Sequence, residues 1–119
     1  MTDDQIEQEI QAKRLTAPRV TPADIEAEIE SEHYFTAEDG AFAAFEPQRS
    51  SDAVPLSLSL LTFCVLVLRN GFTVTGESAC ASPANFDAEI GRKIARQKAV
   101  EKVWPLLGFR LRDALARGA

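Results

Sequence analysis

Residues 60–80 read LLTFCVLVLRNGFTVTGESAC. Leu60 to Leu68 is an apolar, branched run, Arg69-Asn70-Gly71-Phe72 is a turn, and Phe72 to Cys80 is a return segment. Asn-Gly is the favoured centre of a two-residue type I′ hairpin loop. That loop fixes a register in which Arg69 faces Phe72, Val67 faces Val74, Val65 faces Gly76, Phe63 faces Ser78 and Leu61 faces Cys80. One face then carries Leu61, Phe63, Val65, Val67, Phe72 and Val74. The other carries Leu60, Cys64, Leu66, Leu68, Thr73, Thr75 and Glu77. Both faces of the first strand are apolar, so both call for cover. In so short a chain this predicts at least a dimer, with Leu60, Leu66 and Leu68 on the face left for a second copy.

Downstream, Asn85 is read as the cap of a long helix over 86–107, with Asp87 and Glu89 suiting its positive end. Ile90, Ile94, Val103 and Leu107 form its apolar stripe, beside a small-residue seam of Gly91, Ala95 and Ala99. Pro105 disturbs the last turn, Gly108 stops the helix, and Phe109, Leu111 and Leu115 belong to a separate tail helix. Upstream, Thr2 with Gln5 and Thr21 with Pro22 open two short helices, over 2–13 and around Ile25 and Ile29. Residues 14–20 link them. His33–Thr36 is a short strand, Glu38-Asp39-Gly40 a turn, Ala41–Phe45 helical or extended, and Glu46–Pro55 a loop. The fold class expected is α+β: a small antiparallel sheet with a central hairpin, packed by one long C-terminal helix and short N-terminal helices. The chain reads as a single domain, 1–119, with residues 1–20 a peripheral arm and 56–119 the core.

The 119 residues carry a net charge of −5, and the pI of about 4.9 argues against a generally basic nucleic-acid binder. Residues 1–52 hold 13 acids and 4 bases, whereas 53–119 hold 5 acids and 9 bases. The acidic half is either a solvated arm or a partner for the basic half, within or between subunits. Two cysteines and one histidine exclude a four-cysteine zinc site and a multi-histidine metal site. No metal and no cofactor are expected. The start MTDDQIEQEI lacks the pattern of a secretory signal. The mostly apolar run Leu56–Leu68 falls short of the roughly 20 residues a membrane-spanning helix needs. No membrane role is expected, and the compartment is read as a reducing cytoplasm.

Cys64 and Cys80 point to opposite faces in the hairpin register, so no disulfide is expected between them. Cys64 reads as core. Cys80 as a nucleophile lacks a nearby base, the sole histidine lying far upstream in sequence. His33, Tyr34 and Phe35 are either a core wall or a stacking surface. Arg92, Lys93, Arg96, Lys98 and Lys102 make the long helix locally basic, either as a solvated face or as a phosphate-binding patch. No glycine-rich phosphate loop accompanies them.

The stretch Cys64–Leu111, with CVLVLRNGFTVTGESAC, SPANFDAEIGRKIARQKA and VWPLLGF, resembles a family of small tailed-phage proteins of the coliphage gp-forty-nine type. The ordered set NGF-x-V-x-GES, NFD-x-E-x-G and Trp-x-x-x-Gly carries the resemblance. The chain is also similar to phage Thoeris anti-defence sponges. That likeness implies a homo-oligomer, up to a hexamer, that binds a cyclic ADP-ribose-type signal, or cyclic oligonucleotides, between subunits without cleaving it. It also implies action in the cytoplasm of the infected bacterial host. On this reading the protein is not an enzyme. Arg92, Arg96 and Lys98 hold phosphates, Phe86 stacks on a base, and Asn85 and Asp87 take sugar or base polar groups, unless Asn85 only caps the helix. Arg110 and Arg112 are further phosphate candidates. The rivals are an inhibitor gripping a host protein through the acidic N-terminal region, a DNA-associated phage early protein and, last, a cysteine hydrolase.

Overall fold

The structure is a computed structural model that describes residues 1–44 and 54–118. The elements are α1 (Asp3–Ala12), α2 (Pro22–Glu28), β1 (Ile29–Thr36), α3 (Ala37–Ala43), β2 (Leu61–Leu68), β3 (Thr73–Ala79) and α4 (Ala88–Ala116). The sheet is antiparallel in the order β1-β2-β3, and α4 packs across one face of it. The α+β architecture expected from the sequence is the one found.

Three helices begin alike. Thr2, Thr21 and Thr36 each accept the backbone amide of the residue three positions on, whose side chain accepts the threonine amide in return. Each reciprocal pair satisfies two amides that a helix start leaves free. The third cap converts the turn expected at Glu38–Gly40 into α3. After α2 the chain straightens at once, so Ile29 opens a strand rather than ending a helix. Most of the loop expected over Glu46–Pro55 lies outside the described residues.

The hairpin exists, but its register is shifted by one residue. Leu66 pairs with Val74, Cys64 with Gly76 and Leu61 with Ala79. The loop holds three residues: the Gly71 amide donates to the Leu68 carbonyl and the Leu68 amide to the Phe72 carbonyl, both at 2.8 Å. Gly71 has φ +87°, and Asn70 is not in the positive-φ region. Asn-Gly thus serves a turn ending in a left-handed glycine, the common three-residue hairpin, instead of the type I′ form with two positive φ angles. One residue of slip exchanges the faces of the return strand. Thr62, Cys64, Leu66 and Leu68 are buried together with Val74, Gly76 and Ser78. Leu66 and Leu68 are therefore covered by α4, and the half-exposed apolar face is the one carrying Leu61, Phe63, Val65 and Val67. The slip also brings Cys64 and Cys80 onto the same face. They stay apart because the Cys80 amide bonds to Leu60, four residues along the strand from Cys64. Both thiols are free.

α4 is continuous past Pro105 and Gly108, so the expected stop and separate tail helix are absent. Its buried residues are Gly91, Ala95, Ala99, Val103 and Leu107. The small-residue seam is the packing face, while Ile90 and Ile94 are exposed. The reason is on the sheet: a Cβ at Gly76 would lie 2.1 Å from the Ala95 carbonyl oxygen and 2.4 Å from the Ala99 nitrogen. Helix and strand backbones touch there, and only small side chains fit between them.

Candidate ligand-binding site

The sequence-predicted residues do not come together in one place. Phe86 and Arg92 line one small cleft, of about 110 Å³, with Tyr34, Thr36, Thr62 and Ala88. Phe86 is half-buried and Arg92 exposed. Arg92 has no ion-pair partner among the described residues. Asp87, not Asn85, is the helix cap: its Oδ1 accepts the Ile90 amide at 3.0 Å. Asn85 ends a short 3₁₀ turn, Pro83–Asn85, and is exposed. Thr62 is only 2% exposed, and its hydroxyl has no hydrogen-bond partner among the described residues. Asp39, also at this cleft, is held by its cap, accepting the Thr36 amide at 2.9 Å.

Arg96 lies elsewhere and is already engaged. Its Nη1 and Nη2 donate to the two Glu26 carboxylate oxygens at 3.1 and 2.7 Å, and its Nε donates to Glu32 at 2.9 Å. Tyr34 donates its hydroxyl to the other Glu32 oxygen at 3.0 Å. The bond from Arg96 pulls the Glu32 carboxyl below its ordinary range, and the Glu26 bond raises the guanidinium further. Burial, with the Glu32 bond, pushes the Tyr34 phenol up. Lys98, two residues on and so roughly 200° around the helix, is exposed and does not join this group.

Arg110 is bonded to Glu28, a carboxylate only 7% exposed. Arg112 is exposed with no ion-pair partner among the described residues. The acidic half of the chain is thus partly neutralised by its own basic helix, through Glu26, Glu28 and Glu32. Within the acidic half, Glu7 is bonded to Arg19, which lowers its carboxyl to about 2. These long-range partners were beyond sequence reading; the charge asymmetry between the halves was the only signal of them.

A larger cleft, of about 610 Å³, lies between α1, α2 and α4. Asp3, Asp4 and Glu26 face Lys93 and Arg96 across it, and the Trp104 indole donates to Asp3 at 3.2 Å. That excess of carboxylates disfavours an anion. Among the described residues, the Phe86–Arg92 cleft brings a predicted aromatic to a predicted cation that has no ion-pair partner there.

A family model described as Phage protein (N4 Gp49/phage Sf6 gene 66) family matches residues 20–115. The chain belongs to this family. The match takes in the whole sheet, α2, and α4 almost to its end, reaching well upstream of the Cys64–Leu111 stretch. It covers every candidate site residue. No curated protein and no solved structure matches the chain. No helix among the described residues is long and apolar enough to cross a membrane. No group of three or more potential metal-ligating side chains is assembled among them either.

Proposed function

We propose that this gp49-type phage protein is a non-enzymatic binder of a nucleotide immune signal, a cyclic ADP-ribose isomer or a cyclic oligonucleotide, acting in the infected host's cytoplasm. The observation that carries the reading is the cleft where Phe86 offers a ring and Arg92 a guanidinium with no ion-pair partner among the described residues. A phosphate on Arg92 gains a charge-assisted bond, and a base on Phe86 gains stacking. Asn85 and Asp87, the chain neighbours of Phe86 but not part of the cleft lining, are the candidates for sugar or base polar groups. A volume of about 110 Å³ takes one phosphate or the edge of a ring, whereas whole ligands of this size need about 300 Å³ or more. The remainder is held on the surface around the cleft and by a second copy, as a homo-oligomer supplies. Arg96, Lys98, Arg110 and Arg112 are outer cations; Arg96 and Arg110 contribute only by leaving their carboxylates.

The placement of the thiols and the imidazole supports a binder over a cysteine hydrolase. Cys64 is buried, and burial raises its thiol. His33 lies on the opposite sheet face, bonded to Ser31 at 3.0 Å. The engagement of Glu26, Glu28 and Glu32 within the chain weighs against the acidic region as a grip on a host protein. Calorimetry of the full chain against cyclic nucleotides tests the reading. Arg92→Ala is expected to weaken binding about tenfold or more, roughly 1.4 kcal/mol, with the fold retained. Unchanged affinity in Arg92→Ala removes this cleft from the account.

A further inference from the structure

α4 has 29 residues and is about 43 Å long, against about 27 Å for an eight-residue strand. Its last buried residue is Leu107, so the helix runs on beyond the sheet. There its two sides differ. Leu111 and Ala114 turn toward α2 and the 13–21 linker, where they share a groove with Val20 and Ala27. On the opposite side, Lys102, Leu106, Phe109 and Asp113 fall within one narrow arc, at spacings of four, three and four, and all four are exposed. Phe109 is 73% exposed and Leu106 37%. Phe72, 55% exposed, extends the apolar surface beside Leu106 across a groove of about 220 Å³ lined also by Leu68 and Leu107.

We infer that this face of α4 is a seam for the same face of a second copy, with the two helices antiparallel. The spacing is that of a coiled-coil seam, in which apolar knobs enter the partner's holes. The charges select both the partner and the direction. The seam has a cation at one end, a carboxylate at the other and apolar residues between. In an antiparallel pair each Lys102 meets the partner's Asp113, twice by symmetry. In a parallel pair like charges would face each other. Neither Lys102 nor Asp113 has an ion-pair partner among the described residues. A two-fold interface must be self-complementary, and this patch is complementary to itself. Phe72, Leu106 and Phe109 leave roughly 300 Å² of apolar surface per copy, since a phenylalanine presents about 200 Å² when fully open. Two copies then bury about 600 Å² of apolar surface together with the Lys102 stems, below the usual size of a permanent interface. The pair is therefore a reversible dimer. The seam lies ten residues or more along α4 from Arg92, so it does not rest on the nucleotide reading.

Sedimentation equilibrium of the full chain from micromolar to near-millimolar concentration tests the seam. The expected result is a monomer–dimer equilibrium abolished by Phe109→Ser, with unchanged helix content. Lys102→Glu alone and Asp113→Lys alone are each expected to weaken the dimer about tenfold, because each reversal acts twice in a symmetric pair. The double variant restores it. A monomer at every concentration overturns the inference. So does a dimer indifferent to Phe109→Ser, or single variants that the double does not rescue.

Discussion

Gly76→Ala tests the closest contact in the fold. The added Cβ would sit 2.1 Å from the Ala95 carbonyl oxygen, 2.4 Å from the Ala99 nitrogen and 3.0 Å from the Ala99 Cα. All three are backbone atoms of a helix, so no rotamer change relieves the clash. Reaching an ordinary 3.4 Å contact requires α4 to retreat by about 1.3 Å at that point. A gap of that size forfeits more than a quarter of the dispersion well of each contact across the interface. Cys64, Leu66, Val74, Ala95, Ala99 and Val103 all belong to that packed cluster. Overpacking typically costs about 1–3 kcal/mol. With rigid backbone on the receiving side we expect about 3 kcal/mol or more, out of a total stability of roughly 5–15 kcal/mol. For a chain of this length that lowers Tm by roughly 10–20 °C. Thermal and urea unfolding followed by circular dichroism reads the effect. Gly108→Ala is the control: nothing lies within 4 Å of its added Cβ, and losing a glycine from a helix interior stabilises by about 0.5–1 kcal/mol. A Gly76→Ala variant melting within a few degrees of the parent would refute the helix–strand contact.

Three further outcomes follow from named groups. In the native protein Cys80, partly exposed, is expected to alkylate readily, and buried Cys64 only on unfolding; mass spectrometry showing equal labelling, or a Cys64–Cys80 disulfide, contradicts the register. Glu7 titrates at about 2 in the folded chain against an ordinary 4.5, so its bond to Arg19 contributes stability above about 4.5 that is lost as pH falls toward 2. Acid titration of Trp104 fluorescence should show that loss, and Arg19→Ala should reduce it; an unchanged titration in Arg19→Ala contradicts the assignment. Thr62→Val removes a buried hydroxyl without a partner among the described residues and should be neutral or stabilising by up to about 1–2 kcal/mol, whereas a loss of stability in urea would mean that the hydroxyl is bonded.

The layout was legible because it rests on local chemistry. Thr2 and Thr21 announced their helices, and the run through Arg69-Asn70-Gly71 announced the hairpin. The threonine-x-x-aspartate signature shared by Thr21–Asp24 and Thr36–Asp39 is the local sign of α3 as well. The register was not legible, because Asn-Gly serves both a two-residue and a three-residue loop and one residue decides every face of β3. Pro105 and Gly108 looked like a helix end, yet α4 continues past both. At the site, Phe86 stands in the extended link before the Asp87 cap, so its meeting with Arg92 depends on how that link folds back onto the first turns of α4 and no helix periodicity encodes it. The capture of Arg96 by Glu26 and Glu32, and of Arg110 by Glu28, depends on tertiary contacts that no local pattern encodes. Those contacts move the weight of the site from Arg96 to Arg92.

The most direct test of the account is isothermal titration of the full chain with cyclic ADP-ribose isomers and cyclic oligonucleotides, followed by recovery of the bound molecule after heat denaturation. Saturable binding of at least one of them is expected, weakened about tenfold or more by Arg92→Ala, with that molecule returned chemically intact. Binding of none of the panel, or recovery of a hydrolysed product, would contradict it.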